Sequence, residues 1–335
     1  MQTNTILLGD CLDILKDIED DSIDLVLTDP PYNIGKDMTW DHWKTQDEYL
    51  EWCRLWLAEC VRVLKPNGVM YVFHGEMGQF SRIMTMAQEM GMTLRSFCIW
   101  DKGDTFFKKS WINGEATGLR SWFTVTEYCA HFVKFLDPTK TDTSMINDNP
   151  ESYAELKAWY QSELDRLHLT KRDVRQRYCS VTGRGDGMLR HYFSNSQFEI
   201  PTREVWESVY LPMGFGKTFA ELKHDFDQKR QEYEQLREVH NADMYHCNIW
   251  RRKSMPSQRK SHCCQKPEDI IFRLINVSSR PGDTVLDPFI GSGTTAAAAI
   301  EAGRKYIGIE KDPVSHQLAI ERIRALQREP SLFRQ

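Results

Sequence analysis

Two hydrophobic rhythms alternate along the chain. Short apolar runs without helical period, bounded by turn residues, cover 6–8, 23–27, 69–73, 94–100, 124–133, 284–286 and 305–309, the pattern of strands buried in a parallel sheet. Between them apolar residues recur at helical spacing: Leu12, Leu15 and Ile18; Tyr49, Cys53, Trp56, Leu57 and Cys60; 83–90; and Ile270, Ile271, Leu274 and Ile275. Lys65-Pro66-Asn67-Gly68 reads as the turn that closes the second of these helices. Strand and helix in alternation predict an α/β fold, a doubly wound and mostly parallel sheet.

The rhythm fails over 137–152, where Asp, Thr, Asn, Pro and Lys dominate as in a linker. Beyond it Leu156, Trp159, Tyr160 and Leu164 predict one helix. Thr170 then caps a second, which carries Lys171, Arg172, Arg175 and Arg177. A glycine-punctuated stretch, 182–187, precedes 188–193, so the segment reads as helix, turn, helix, with Arg184 and Arg190 adding to its basic side. Phe219, Leu222, Phe226, Tyr233 and Leu236 line a long charged helix whose seam Lys229 interrupts, a brace for this region. The α/β rhythm returns after Asn241. The chain is thus expected to divide into a first catalytic part, 1–136, a mainly helical insertion, 137–244, and a second catalytic part, 245–335.

Composition narrows the class. With about 150 residues per domain as the prior, 335 residues fit two domains or one large domain with an insertion. No apolar run is long enough to span a bilayer, and the N-terminus lacks the basic and apolar regions of a signal peptide, so a cytoplasmic protein is expected. Nine cysteines without a disulfide-like framework fit a reducing compartment. His246, Cys247, His262, Cys263 and Cys264 fit no common zinc spacing, and no metal is expected. The net charge of -5 means that any nucleic-acid surface must be a local patch, and the arginines of the insertion are such a patch.

Two stretches carry chemistry. The strand ending at Leu27 and Thr28 stops at Asp29-Pro30-Pro31-Tyr32. Proline fixes its own φ and keeps its predecessor out of the α region, so this is a stiff loop offering the Asp29 carboxylate and the Pro30 carbonyl as acceptors near the Tyr32 ring. Such a loop suits an NH2 group beside a flat ring; the plainer reading is a proline-stiffened turn with a capping Asp. The second stretch, Asp287-Pro288-Phe289-Ile290-Gly291-Ser292-Gly293-Thr294-Thr295, joins a strand to an alanine-rich helix. A glycine loop at a helix N-terminus lets backbone approach a nucleotide-like ligand, and Glu310, an acid about 20 residues on at the end of the next strand, fits ribose recognition. Asp10, at the first strand-to-helix junction, reads equally as an N-cap or a ligand contact.

Together, Asp29-Pro30-Pro31-Tyr32 and the 287–295 loop resemble the β class of DNA amino-methyltransferases, which places the catalytic motif first, the target-recognition insertion in the middle and the cofactor loop last. Arg62-Val63-Leu64-Lys65-Pro66-Asn67-Gly68 and Gln265-Lys266-Pro267 resemble it too, so the likeness covers 5–135 and 245–325; Cys263 and Cys264 depart from its pattern. The resemblance implies a Rossmann-like S-adenosylmethionine-dependent methyltransferase fold with circularly permuted motif order. Asp287, Phe289, Gly291, Gly293 and Thr294 would line the cofactor, Glu310 would hold its ribose, Asp10 its adenine amino group and Lys266 its carboxylate end. Asp29 and Pro30 would each accept one N–H of a flipped-out base, Pro31 would hold the loop and Tyr32 would stack on the base. Asp rather than Ser at position 29 implies adenine N6 before cytosine N4, with RNA or a protein amide as more distant substrates. Double-stranded DNA is the implied partner, read by Lys171, Arg172, Arg175, Arg177, Arg184 and Arg190. A homodimer, a companion restriction endonuclease, and a bacterial or phage origin with the protein at the nucleoid complete what the resemblance implies.

Overall fold

The computed structural model describes residues 2–33, 43–103, 125–135, 153–187, 189, 192–193, 199–236, 247–251 and 266–328. The chain divides into two compact units, one formed by Met1–Thr141 with Glu238–Gln335 and the other by Asp142–Arg237.

The first unit is built on eight strands: β1 (Thr5–Leu8), β2 (Ile23–Thr28), β3 (Leu64–His74), β4 (Thr93–Asp101), β5 (Thr126–Val133), β6 (Ile249–Arg251), β7 (Thr284–Asp287) and β8 (Lys305–Glu310). They lie side by side in the order β1-β8-β7-β2-β3-β5-β4-β6. β1, β8, β7, β2 and β3 run parallel, β5 is antiparallel to both β3 and β4, and β6 is parallel to β4. The α/β fold expected from the alternating pattern is present, as a mixed sheet. The described helices, in chain order, are α1 (Cys11–Ile14), α2 (Gln46–Val63), α3 (Met77–Glu89), α4 (Ala154–Arg166), α5 (Lys171–Thr182), α6 (Phe219–Leu236), α7 (Glu268–Ser278), α8 (Thr294–Glu301) and α9 (Pro313–Arg328), with a run of short helical turns between α5 and α6.

Successive strand residues point to opposite faces, and both faces of this sheet are covered. Val26, Met70 and Val72 pack with Tyr49, Trp56 and Cys60 of α2 and Phe80 and Ile83 of α3. Leu25, Leu27, Val69 and Tyr71 pack on the other side with Ile271 and Ile275 of α7, Ala296 and Ala299 of α8 and Ala319 of α9. Each fully buried aliphatic or aromatic side chain contributes about 1.5–3 kcal/mol. β2, in the middle, is therefore a rigid base for whatever follows it.

Three local differences from the sequence pattern have clear causes. The Lys65-Pro66-Asn67-Gly68 turn lies inside β3, as an irregularity: Ile23 pairs with Leu64 but Leu25 with Val69, and Asn67 takes a left-handed φ of 62°. Helix α3 begins at Met77, ahead of the apolar run, because the Glu76 carboxylate caps the N–H groups of Gly78 and Gln79. The second helix expected over 188–193 does not extend to Tyr192 and Phe193, although Leu189 lies in a 3-10 turn: Tyr192 bridges to Glu199, and Phe193 has a φ of 52°. Phe193 is buried instead against Tyr160, ring centroids 4.1 Å apart, so core burial overrides local helical spacing.

The second unit has its own core, in which Leu156, Tyr160, Tyr178, Trp206, Tyr210, Leu222 and Phe226 meet. Thr170 and Asp173 cap α5 reciprocally, and Gly183 closes it in the left-handed region, φ 65°. Leu222 and Phe226 of α6 enter this core, and Lys229 pairs with Glu155 at 3.1 Å. No helix among the described residues is long and apolar enough to cross a membrane.

Candidate active site

Four acids stand at or just after the carboxyl ends of four adjacent parallel strands, in the order Asp10 (β1), Glu310 (β8), Asp287 (β7) and Asp29 (β2). The carboxyl edge of an open parallel sheet is where such folds bind ligands. Leu8 pairs with Glu310 and Asp287 with Gly308, so the four lie along one edge of the sheet.

Asp10 is the N-cap of α1 and accepts from the Leu12 N–H at 3.0 Å and from Lys311 Nζ at 2.7 Å. Burial pushes its carboxyl up, but these partners outweigh it and hold the pKa below the ordinary value. The N-cap reading therefore holds. Glu310 accepts the Gly291 N–H at 2.9 Å and the Asp312 N–H at 2.8 Å, which ties the glycine loop to the end of β8. Burial raises its pKa.

The glycine loop is tightly built. Asp287 accepts the Phe289 N–H at 3.1 Å and the Thr295 hydroxyl at 2.6 Å, and burial pushes its carboxyl up to about 7. Gly293 adopts φ 81°, and a Cβ there would stand 3.1 Å from that of Ala319. Thr294 is buried and its hydroxyl accepts from Arg322 at 3.2 Å. Phe289 packs edge-on against Trp56 at 5.5 Å, beside Trp52 at 5.4 Å. A loop of glycines, a ring and a row of carboxylates can receive a ligand with hydroxyl donors, a flat base and positive charge.

At the other end of the row, Asp29 accepts from Lys266 Nζ at 2.5 Å and from the Tyr32 hydroxyl. Burial raises the Asp29 pKa, the Lys266 ammonium opposes it, and Glu127 adds to the rise. The Tyr32 ring lies 4.5 Å from that of His74, and a Cβ on Gly75 would come within 3.0 Å of it. The Tyr49 hydroxyl donates to the Pro31 carbonyl at 2.8 Å and lies 3.0 Å from His74 Nε2. Since His74 Nδ1 accepts the Glu76 N–H at 3.0 Å, Nε2 carries the proton and donates to Tyr49.

Lys266 joins the same cluster. Its ammonium donates to Asp29 Oδ2 at 2.5 Å and to Tyr32 Oη at 3.1 Å, and forms an ion pair with Glu127 Oε2 at 3.1 Å. These contacts tie Lys266 to the Asp29 loop, beside the role expected of it at a ligand's carboxylate end. Burial draws the Lys266 ammonium down, but the two carboxylates overcome this and raise its pKa; between Lys266 and Lys102, Glu127 is held down at about 2 despite its burial.

Glu127, Tyr49 and His74 belong to the site although sequence reasoning passed over them. Glu127 left one signal, the single acid in a strand of mostly apolar and aromatic residues. Tyr49 and His74 look like ordinary core positions of α2 and β3. On α5, Lys171, Arg172, Arg175 and Arg177 are exposed while Val174 and Tyr178 face the core, and Arg175 pairs with Asp186 at 2.8 Å; Arg184 is exposed just beyond. Arg190, His246, Cys263 and Cys264 lie outside the described residues. Burial pushes the thiols of Cys11, Cys53 and Cys98 up to about 12, and those of Cys60 and Cys129 well above their usual range, so none of the five is a ready nucleophile.

Comparison with known proteins places this arrangement. A family model described as DNA methylase matches residues 23–321. The chain is 28% identical to the Type II methyltransferase M.HinfI of Haemophilus influenzae, across 98% of this chain and 70% of that protein. It is 26% identical to the DNA adenine methyltransferase YhdJ of Escherichia coli (strain K12), across 96% and 83%. Among solved structures, the M1.HpyAVI–SAM complex superposes with a TM-score of 0.52 at 18% identity, covering 95% of this chain and 98% of the other, a likeness of fold.

Proposed function

The chain belongs to the N6/N4 DNA methylase family, and from that premise we propose that it transfers a methyl group from S-adenosylmethionine to the N6 amino group of an adenine flipped out of duplex DNA. The observation that carries this reading is the adjacency of β2 and β7. Their parallel pairing puts the Asp29-Pro30-Pro31-Tyr32 loop next to the glycine loop on one sheet edge. The relative named a DNA adenine methyltransferase and the presence of Asp at position 29 favour adenine.

The residues fit the cofactor. Gly291 and Gly293, with φ of 53° and 81°, take a left-handed backbone that a side chain would strain, which keeps the loop tight at the start of α8. Glu310 and Asp10 each keep lone pairs beyond those already used, enough to accept from ribose hydroxyls and an adenine amino group. Phe289 offers a ring and Thr294 a hydroxyl beside the helix N-terminus. When bound, S-adenosylmethionine supplies an electrophilic methyl group.

An exocyclic amine is a poor nucleophile because its lone pair is delocalised into the ring. Asp29 and the Pro30 carbonyl, each accepting one N–H, favour a pyramidal nitrogen and stabilise the positive charge that develops on it. Pro31, pinned by Tyr49, fixes the loop, and Tyr32 stacks on the base, offsetting part of the few kcal/mol lost on unstacking it from the duplex. Positioning does most of the work. The exposed cations of α5, with Arg184, bind the phosphate backbone.

The test is product analysis. Unmodified genomic DNA is incubated with enzyme and S-adenosylmethionine and digested to nucleosides, with Asp29→Ala as control. N6-methyladenine, absent with the variant, is expected; N4-methylcytosine alone would overturn the choice of base, and no methylated nucleoside would overturn the function.

A further inference from the structure

We propose that Glu127 is a positioning residue for Asp29, acting through Lys266. The inference rests on the function proposed above and adds a residue to it. Three segments far apart in sequence converge here: Asp29 follows β2, Glu127 lies on β5 and Lys266 precedes α7. Lys102, just after β4, closes the row on the far side of Glu127. The side chains of Lys266, Lys102 and Glu127 are only 8%, 14% and 16% exposed, so solvent screens these charges poorly. Burying four charges carries a desolvation penalty of several kcal/mol per ion, which packed apolar side chains would avoid, so stability alone does not call for the arrangement. What it does is set the state of Asp29.

Asp29 must accept an N–H from the target amine, so it needs to be ionised, oriented and not saturated by its own neighbours. Lys266 and the Tyr32 hydroxyl orient it, one on each oxygen, and each oxygen retains a lone pair. A lone ammonium against a lone carboxylate would polarise Asp29 strongly and weaken it as an acceptor for a further N–H. Glu127 prevents this by standing 3.1 Å from the Lys266 ammonium as a second ion-pair partner, which holds the ammonium between two carboxylates. Lys102 answers the second negative charge, so the four groups sum to zero. Without Glu127 the cluster carries one excess positive charge facing Asp29, which becomes a weaker acceptor.

The test is a double-mutant cycle with Glu127→Gln, Lys266→Met and the double variant, assayed on unmodified genomic DNA with labelled S-adenosylmethionine. Glu127→Gln is expected to lower kcat about tenfold, mid-range for residues coupled in one network. Cofactor affinity by calorimetry should stay within about twofold of wild type, since the substituted group contacts only the amine-binding side. Because Glu127 raises the Asp29 pKa, its loss should shift the acid limb of the kcat profile to lower pH relative to wild type. His74, Asp287, Cys129 and Lys102 also face the cluster and are common to both profiles. Glu127→Asp should recover part of the rate, and it carries the comparison if Glu127→Gln does not bind cofactor. The double variant should be no slower than Lys266→Met alone. Additive losses, or a Glu127→Gln enzyme as fast as wild type with an unmoved profile, would overturn the inference while leaving the function standing; a wild-type enzyme that methylates no DNA would remove both.

Discussion

The Tyr49 hydroxyl, on the first turn of α2, donates to the Pro31 carbonyl at 2.8 Å. Tyr49 is fully buried and accepts in turn from His74, so this tether of the loop at Pro31 comes from the helical layer beside the sheet. Tyr49→Phe keeps the ring and deletes the hydroxyl, leaving a half-buried carbonyl and a buried imidazole N–H without this partner. A loss of about 1–3 kcal/mol in denaturant unfolding is expected. Methyl transfer should fall through kcat, with cofactor affinity retained, because the glycine loop is untouched.

His74 reads out the same chain of hydrogen bonds by pH. Its imidazole is buried among Tyr32, Tyr49 and Phe80, and burial lowers its pKa from 6.5 to about 4. A depressed histidine contributes stability that is fully present above about 6.5 and is lost as pH falls toward 4. Nitrogen-15 NMR should show His74 neutral at pH 5.5 with the proton on Nε2. A resonance titrating near 6.5 would contradict the buried arrangement.

How much of this was legible in the sequence follows from the kind of interaction involved. Asp29-Pro30-Pro31-Tyr32 and the 287–295 loop announce themselves because proline, glycine and strand ends constrain the backbone locally. Lys266 was legible as a site residue but not in its partner: its ion pairs join positions 29, 127 and 266, and such a contact leaves no periodic trace. Strand β6 and the antiparallel course of β5 were also unreadable, since three residues carry no pattern and strand direction is set by connections rather than composition. The missing second helix of the insertion shows the opposite error. Tyr192 and Phe193 have helical spacing with Leu189, yet the aromatic core of the second unit claims Phe193.

Gly308 tests the packing under the glycine loop. A Cβ at this position in β8 would stand 2.2 Å from Cδ1 of Ile290, whose side chain is buried. Gly308→Ala should destabilise the protein by about 1–3 kcal/mol through overpacking. Adding Ile290→Ala should restore part of the loss, because the two side chains compete for one space. Thermal melts of the single and double variants check this, and an additive double variant would place the strain elsewhere.

Asp287 links ligand binding to protons. Its folded pKa of about 7 lies above the ordinary 3.8, so its contribution to stability is fully present below about 4 and is lost as pH rises toward 7. A positively charged ligand beside it favours the ionised form. Binding of S-adenosylmethionine at pH 6 should therefore release protons, seen as a calorimetric enthalpy that depends on the ionisation heat of the buffer. Glu310 and Asp29, also raised, can add to the release, so the share lost in Asp287→Asn is the quantity to measure.

The cations of α5 separate backbone binding from chemistry. Arg172 and Arg177 are exposed on a helix whose other face, through Val174 and Tyr178, is fixed in the second unit's core, and removing them leaves that core intact. Non-specific affinity for duplex DNA falls with salt in proportion to the phosphates neutralised, so each lost contact should flatten the slope of log K against log salt by about one. Arg172→Ala with Arg177→Ala should weaken duplex binding uniformly across sequences and flatten that slope by about two. At saturating DNA and low salt the double variant should still methylate, because the Asp29 loop and the glycine loop are unchanged. An unaltered salt slope would mean that the DNA lies against a different surface of the molecule.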